Sequence, residues 1–203
     1  MKKIIIIAIF FVMASAVVNA QSQFGAISWN VNFPTTTDYL SKTSFSGGRI
    51  EYRYFPKFKN FSLGLAMDWS TYEEYLPRQT FQKPDGSAAV TSDFVSQVYQ
   101  VPIALTAHYY FETKNKMLKP YVGLGLGAQY LDQELYYNVY VSENENWGFL
   151  ARPELGVLIY PQGQHNWGFM VGAYYSYASN KTELLDLNSF TNFGVNIGFL
   201  FGH

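Results

Sequence analysis

Phe61-Ser62-Leu63-Gly64-Leu65-Ala66-Met67-Asp68-Trp69-Ser70-Thr71 alternates from end to end. Its odd positions carry Phe, Leu, Leu, Met and Trp, and its even positions Ser, Gly, Ala, Asp and Ser. Strand side chains point alternately to opposite faces, so this segment has one apolar face and one small, polar face. A soluble sheet buries its apolar face. When every strand has such a face and no other segment remains to cover it, lipid must do so, and a transmembrane β-barrel results.

The same alternation predicts seven further strands. The first is 24–33, with Ile27, Trp29 and Val31 outward, and the second 44–55, with Ile50, Tyr52 and Tyr54 on one face. The opening stretch is the third, extended towards Tyr75. The others are 93–111, a fifth from Pro120 with Val122, Leu124, Leu126 and Ala128 outward, then 147–160, 167–178 and 190–202. Pro, Gly, Asn and charged clusters separate them. Connections at 56–60, 112–119 and 161–166 are short. Those at 34–42, 76–92, 142–146 and 179–189 read as loops. The expected fold is all-β: an eight-stranded antiparallel up-and-down transmembrane barrel with a side-chain-filled lumen. A soluble lipocalin-like barrel, its apolar face turned inward around a ligand, is the alternative fold.

Residues 1–20 read as a secretory signal peptide. Lys2 and Lys3 precede an apolar run at 4–13, and Val18-Asn19-Ala20 supplies small residues at a cleavage site. Residues 21–203 then form a single barrel domain. Without the two lysines, 12 basic residues stand against 15 acidic, a net charge of about −3, and no basic stripe points to nucleic acid. The chain has no cysteine, which excludes disulfides and thiolate metal sites. Aromatic residues make up 19% of it, and the predicted strand ends carry Trp29, Trp69, Tyr75, Tyr109, Phe111, Trp147, Trp167 and Tyr177. Interfacial girdles have this composition.

The inward faces hold the ionisable residues. Arg49, Glu51, Arg53, Asp68, His108, Arg152 and Glu154 all fall there, and pairing across the short second turn puts Arg49 opposite Asp68. Such charges are expensive in lipid and tolerable in a lumen where they neutralise one another. Gly123, Gly125 and Gly127 share the inward face of the fifth strand, Gly123 opposite His108 and Gly125 opposite Thr106, and leave room for larger neighbours. Their period of two excludes a nucleotide loop. The three histidines, His108, His165 and His203, are scattered, so no metal centre and no cofactor is expected. His108 has no evident serine in register for nucleophilic catalysis. On the outer connections, Glu143, Glu145 and Asp85-Gly86 are candidates for divalent cations bridging lipopolysaccharide, with solvated loops as the plainer reading. Asn180-Lys181-Thr182 matches a glycosylation sequon, which carries little weight.

Three stretches carry a family resemblance: Gln100-Val101-Pro102-Ile103-Ala104-Leu105 leading to Tyr109-Tyr110-Phe111, Pro120-Tyr121-Val122-Gly123-Leu124-Gly125-Leu126-Gly127, and Gly194-Val195-Asn196-Ile197-Gly198-Phe199. With them, residues 22–203 resemble the small OmpA/OmpX-type outer-membrane barrels of Gram-negative bacteria. The resemblance implies a monomer in contact with outer-membrane lipid and lipopolysaccharide. It also implies a terminal aromatic residue read by the barrel-assembly machinery, for which Phe199 and Phe201 are the candidates, although the chain closes on Gly202-His203. The expected function is non-enzymatic: a structural, adhesive or surface-interaction role carried by outer loops that meet an extracellular ligand. A narrow pore for small solutes is the second reading, and a lipid-A-modifying barrel enzyme the third.

Overall fold

The structure is a computed structural model and describes residues 23–35, 40–56, 60–82, 89–137, 140–161, 166–181 and 188–202. The predicted signal peptide, Asp85-Gly86, Thr182, His165 and His203 lie outside the described residues. Eight strands follow in order: β1 (Gln23–Pro34), β2 (Ser44–Tyr54), β3 (Phe61–Gln82), β4 (Ala89–Tyr110), β5 (Leu118–Tyr137), β6 (Tyr140–Ile159), β7 (Trp167–Ala178) and β8 (Phe190–Gly202). Each pairs antiparallel with the next, and β8 returns to β1, closing the barrel.

The registers set its shape. The row Gly25, Tyr52, Leu65, Leu105, Leu126, Ala151, Tyr177, Thr191 runs once around the ring. It re-enters β1 at Thr35, whose N–H donates to the Thr191 carbonyl. The circuit therefore climbs ten residues of β1. Ten rises of ~3.3 Å against eight strand spacings of ~4.8 Å give a tilt of about 40° and a radius of about 8 Å. So narrow a ring is filled by side chains.

The alternation sorts as predicted. Ile27, Ile50, Leu63, Leu65, Leu105, Val122, Leu124, Leu126, Leu155, Val171 and Ile197 are exposed outside, and the polar partners of these positions are buried inside. At this tilt each step to the next strand along a paired row rises ~3 Å along the axis. On that scale Trp167, Phe111, Phe61, Tyr109 and Phe201 gather at the end bearing the short turns. Trp69, Tyr177, Phe33, Tyr130 and Trp147 gather ~20–25 Å away, and the belt between them is aliphatic, as a bilayer core requires. Trp29 starts lower and leans towards the second ring, stacking on Phe45 (centroids 6.3 Å apart) and donating its indole N–H to the Phe45 carbonyl at 2.6 Å. The exterior of this barrel is a lipid-facing surface.

Two expectations fail beyond the second ring. The loop expected at 142–146 is strand, and the loop expected at 76–92 shrinks to the segment between Gln82 and Ala89. β3 to β6 stay paired past Trp69 and Trp147 and project as a four-stranded sheet. Alternation continues there with its meaning changed. Leu131 and Leu135 point to the buried side, while Asp132, Glu134, Glu143 and Glu145 take the outward positions. Outside the bilayer that face meets water, so charge replaces grease and the expected signature disappears. The β5–β6 connection, expected around 142–146, spans only from Tyr137 to Tyr140.

Candidate functional site

The lumen is stratified. Nearest the short turns, Phe24, Tyr110, Tyr121, Leu158, Tyr160, Met170 and Leu200 form an apolar seal with Phe55 packed against it. The ionisable residues come next, then a layer of amides and hydroxyls, then a second apolar cluster of Leu40, Tyr72, Val98, Leu131 and Phe190. All of the lumen residues expected from sequence, Arg49, Glu51, Arg53, Asp68, His108, Arg152 and Glu154, are buried in the second stratum.

The charges form two groups. Glu154 is the hub of the larger: its carboxylate accepts from Arg49 at 2.9 Å, from Arg53 at 3.2 Å, and lies 2.6 Å from His108 Nε2. Glu51 bridges the same two guanidiniums, 3.1 Å from Arg49 and 2.6 Å from Arg53. The second group is the Arg152–Asp68 pair at 2.6 Å, where Asn30 also donates to Asp68 at 2.8 Å. Arg49 does stand opposite Asp68 in the β2–β3 register. It bonds instead across the barrel to Glu154, because inward side chains on neighbouring strands project in parallel and a long arginine reaches the far wall of a narrow lumen. Three arginines face three carboxylates, so the interior is charge-balanced.

Arg53 also ties this layer to the seal. Its guanidinium lies 4.5 Å from the Tyr121 ring centre and donates to the Tyr110 hydroxyl at 3.0 Å. Tyr110 in turn shares a hydrogen bond with Ser62 Oγ at 2.9 Å. Gly123 makes room for this group, since a Cβ there would collide with the His108 ring. Gly127 is required by backbone proximity, a Cβ meeting the Ile103 carbonyl, whereas at Gly125 a methyl would find ordinary contacts.

Two sequence expectations about His108 need correction. It does have a serine in register: Ser62 faces it across β3–β4, with Oγ 3.4 Å from Nδ1. The opposite pairing, β4–β5, offers only glycine and hides this. Histidine also converges with carboxylates, the ligand atoms of Glu51, His108 and Glu154 lying within 4.8 Å of one another. Ser62 and His108 are both buried, the hydroxyl enclosed by lumen side chains. Both carboxylates are already occupied by Arg49 and Arg53, and a divalent cation among them would face two guanidiniums. The ensemble can neutralise charge, fix register and fill the lumen.

The remaining predicted residues lie on the exterior. Trp29, Trp69, Tyr109, Phe111, Trp147, Trp167 and Tyr177 are exposed on the lipid-facing surface or its rims. Phe199 and Phe201 are exposed on β8, where Trp167 stacks on Phe199 at 6.1 Å. Sequence reasoning missed Ser62, Tyr110 and Tyr174 (its ring 4.7 Å from the Arg152 guanidinium), whose inward positions were legible, and Leu40 and Glu74, whose roles depend on a loop fold that no periodicity announces.

No family model matches the chain, and neither does any curated protein sequence. Solved structures do. The chain is similar to Neisserial surface protein A (NspA), with 17% identity over 91% of this chain and 99% of that one and a TM-score of 0.59. It is also similar to the outer membrane protein OprG of Pseudomonas aeruginosa, with 15% identity over 91% and 97% of the two chains and a TM-score of 0.54. At these identities the likeness is one of fold: the chain has the architecture of the small outer-membrane β-barrels.

Proposed function

We propose that the mature chain is a non-enzymatic barrel of a Gram-negative outer membrane, delivered by a signal peptide cleaved after residue 20. Its short turns face the periplasm, its belt contacts lipid and lipopolysaccharide, and Phe201 on the last strand engages the assembly machinery. Its work is done at the cell surface, as adhesion or another contact with an extracellular ligand, by the sheet that β3 to β6 raise beyond the membrane. One observation carries this reading: the lumen is charge-balanced and capped by apolar residues at both ends, while the largest departure from a minimal barrel is that projecting sheet. Side chains that plug a barrel leave its outer surface as the place for recognition.

Two measurements test it. In planar bilayers the purified protein is expected to show no sustained openings; stable conductance would replace this reading with a narrow pore. In cells, a deletion strain complemented with a chain trimmed in the β3–β4 and β5–β6 projections is expected to lose surface binding while the barrel still assembles. Lipid A from the deletion strain is expected to have an unchanged mass spectrum, and a shifted one would point to an enzyme.

A further inference from the structure

The two ends of the lumen are closed by different means. Strand residues, with Phe55 and Tyr160 just past the ends of β2 and β6, build the seal near the short turns. At the other end, one sealing side chain comes from a connection: Leu40, between β1 and β2, is buried among Tyr72, Val98, Leu131 and Phe190. The two residues after it are held by one carboxylate. Glu74, on β3, accepts from the Ser41 N–H at 2.5 Å, the Ser41 hydroxyl at 2.8 Å and the Lys42 N–H at 3.0 Å.

Directly beneath Leu40 the lumen is polar. The Tyr72 hydroxyl, on the inner side of the cluster, accepts from Gln100 at 2.9 Å and Asn192 at 2.7 Å, and Asn32 donates to Ser70 at 2.8 Å. In the same layer Gln100 Oε1, Gln129 Nε2 and Asn192 Oδ1 are buried with no partner among the described residues. Buried polar atoms of this kind are normally satisfied by water, given a way in. Among the described residues, Leu40 is the member of this five-residue cap that a clamped connection supplies, and the cap lies over a layer of amides able to solvate what enters.

We propose that Leu40, held down by the Glu74 carboxylate, is a removable stopper over the outer mouth of the lumen. When it lifts, water and small neutral solutes reach the amide layer as far as the Arg152–Asp68 pair, and the lower seal stays shut. The stopper opens a vestibule, not a pore. It rests on the seals at the two ends and not on the surface role proposed above: loss of surface binding would leave it standing, and sustained conductance in bilayers would overturn both.

The absence of cysteine makes the test direct. Ser70→Cys puts a thiol in the amide layer, and Ser62→Cys puts one near the lower seal. Each is made in the otherwise unchanged chain and with Leu40→Ala or Glu74→Gln, and a small neutral thiosulfonate is applied to detergent-purified protein. Gel mobility with and without boiling confirms that each variant is folded. Ser70→Cys is expected to react slowly in the unchanged chain and about ten-fold or more faster with either mouth substitution, the loss of a hydrogen bond to a charged group being of that size. Ser62→Cys is expected to stay slow throughout. Fast reaction of Ser70→Cys in the unchanged chain, no acceleration by either substitution, or equal acceleration of Ser62→Cys would each overturn the stopper.

Discussion

Glu154 joins three side chains of the charge layer, Arg49, Arg53 and His108. Removing its carboxylate leaves Arg49, Arg53 and His108 sharing Glu51 alone. Breaking one side of a buried ion pair typically costs about 3–5 kcal/mol. Glu154→Ala is therefore expected to lose about that much stability in urea unfolding from lipid vesicles; a loss near zero would show that the network does not hold the barrel. Glu74 gives a pH dependence. Burial alone raises its carboxyl, but the Ser41 side chain and backbone, the Lys42 backbone and the facing Lys42 charge together hold it below the usual carboxylate range. A depressed carboxyl stabilises the folded form above its unfolded value and ceases to do so as pH falls through the folded value. Hydrogen-exchange protection of the Ser41 and Lys42 amides is expected to hold from neutrality to about pH 4.5 and to drop only at more acid values. Inward placement was legible for each charged residue of the lumen because it follows from parity. Partner choice was not, since Arg49 bonds to a residue 105 positions away.

At the scale of the strand, the projecting β5–β6 hairpin carries like charges face to face. Asp132 pairs with Glu145 and Glu134 with Glu143. Burial, then the neighbouring Glu134, Glu145 and Glu143, push the Asp132 carboxyl above its ordinary value. Opposed like charges on paired strands cost stability, and opposite charges return roughly 0.2–1 kcal/mol per pair. Glu143→Lys is therefore expected to raise amide protection across the outer part of β5 and β6, and unchanged protection would mean that solvent screens the repulsion. The acids also explain why these strands read as loops. The rule that an outward residue is apolar holds only within the bilayer, and nothing in a one-dimensional pattern marks where the bilayer stops.

For the whole molecule, the exterior decides behaviour. A ring of strands with an aliphatic belt between aromatic rims is expected to be monodisperse only in detergent or lipid, and to migrate differently on a denaturing gel before and after boiling. Monodispersity in plain buffer would contradict the inside-out surface. The sequence by itself determined that surface, the strand count and the sorting of charge to the interior, because each follows from which of two directions a side chain takes. Only the tertiary structure decided the ten-residue stagger, the joining of Glu154 to Arg49 and Arg53, the serine facing His108, and the seating of Leu40 over the mouth. Those depend on how far each strand slides past its neighbour and on contacts across the ring, and neither is encoded in a local alternation.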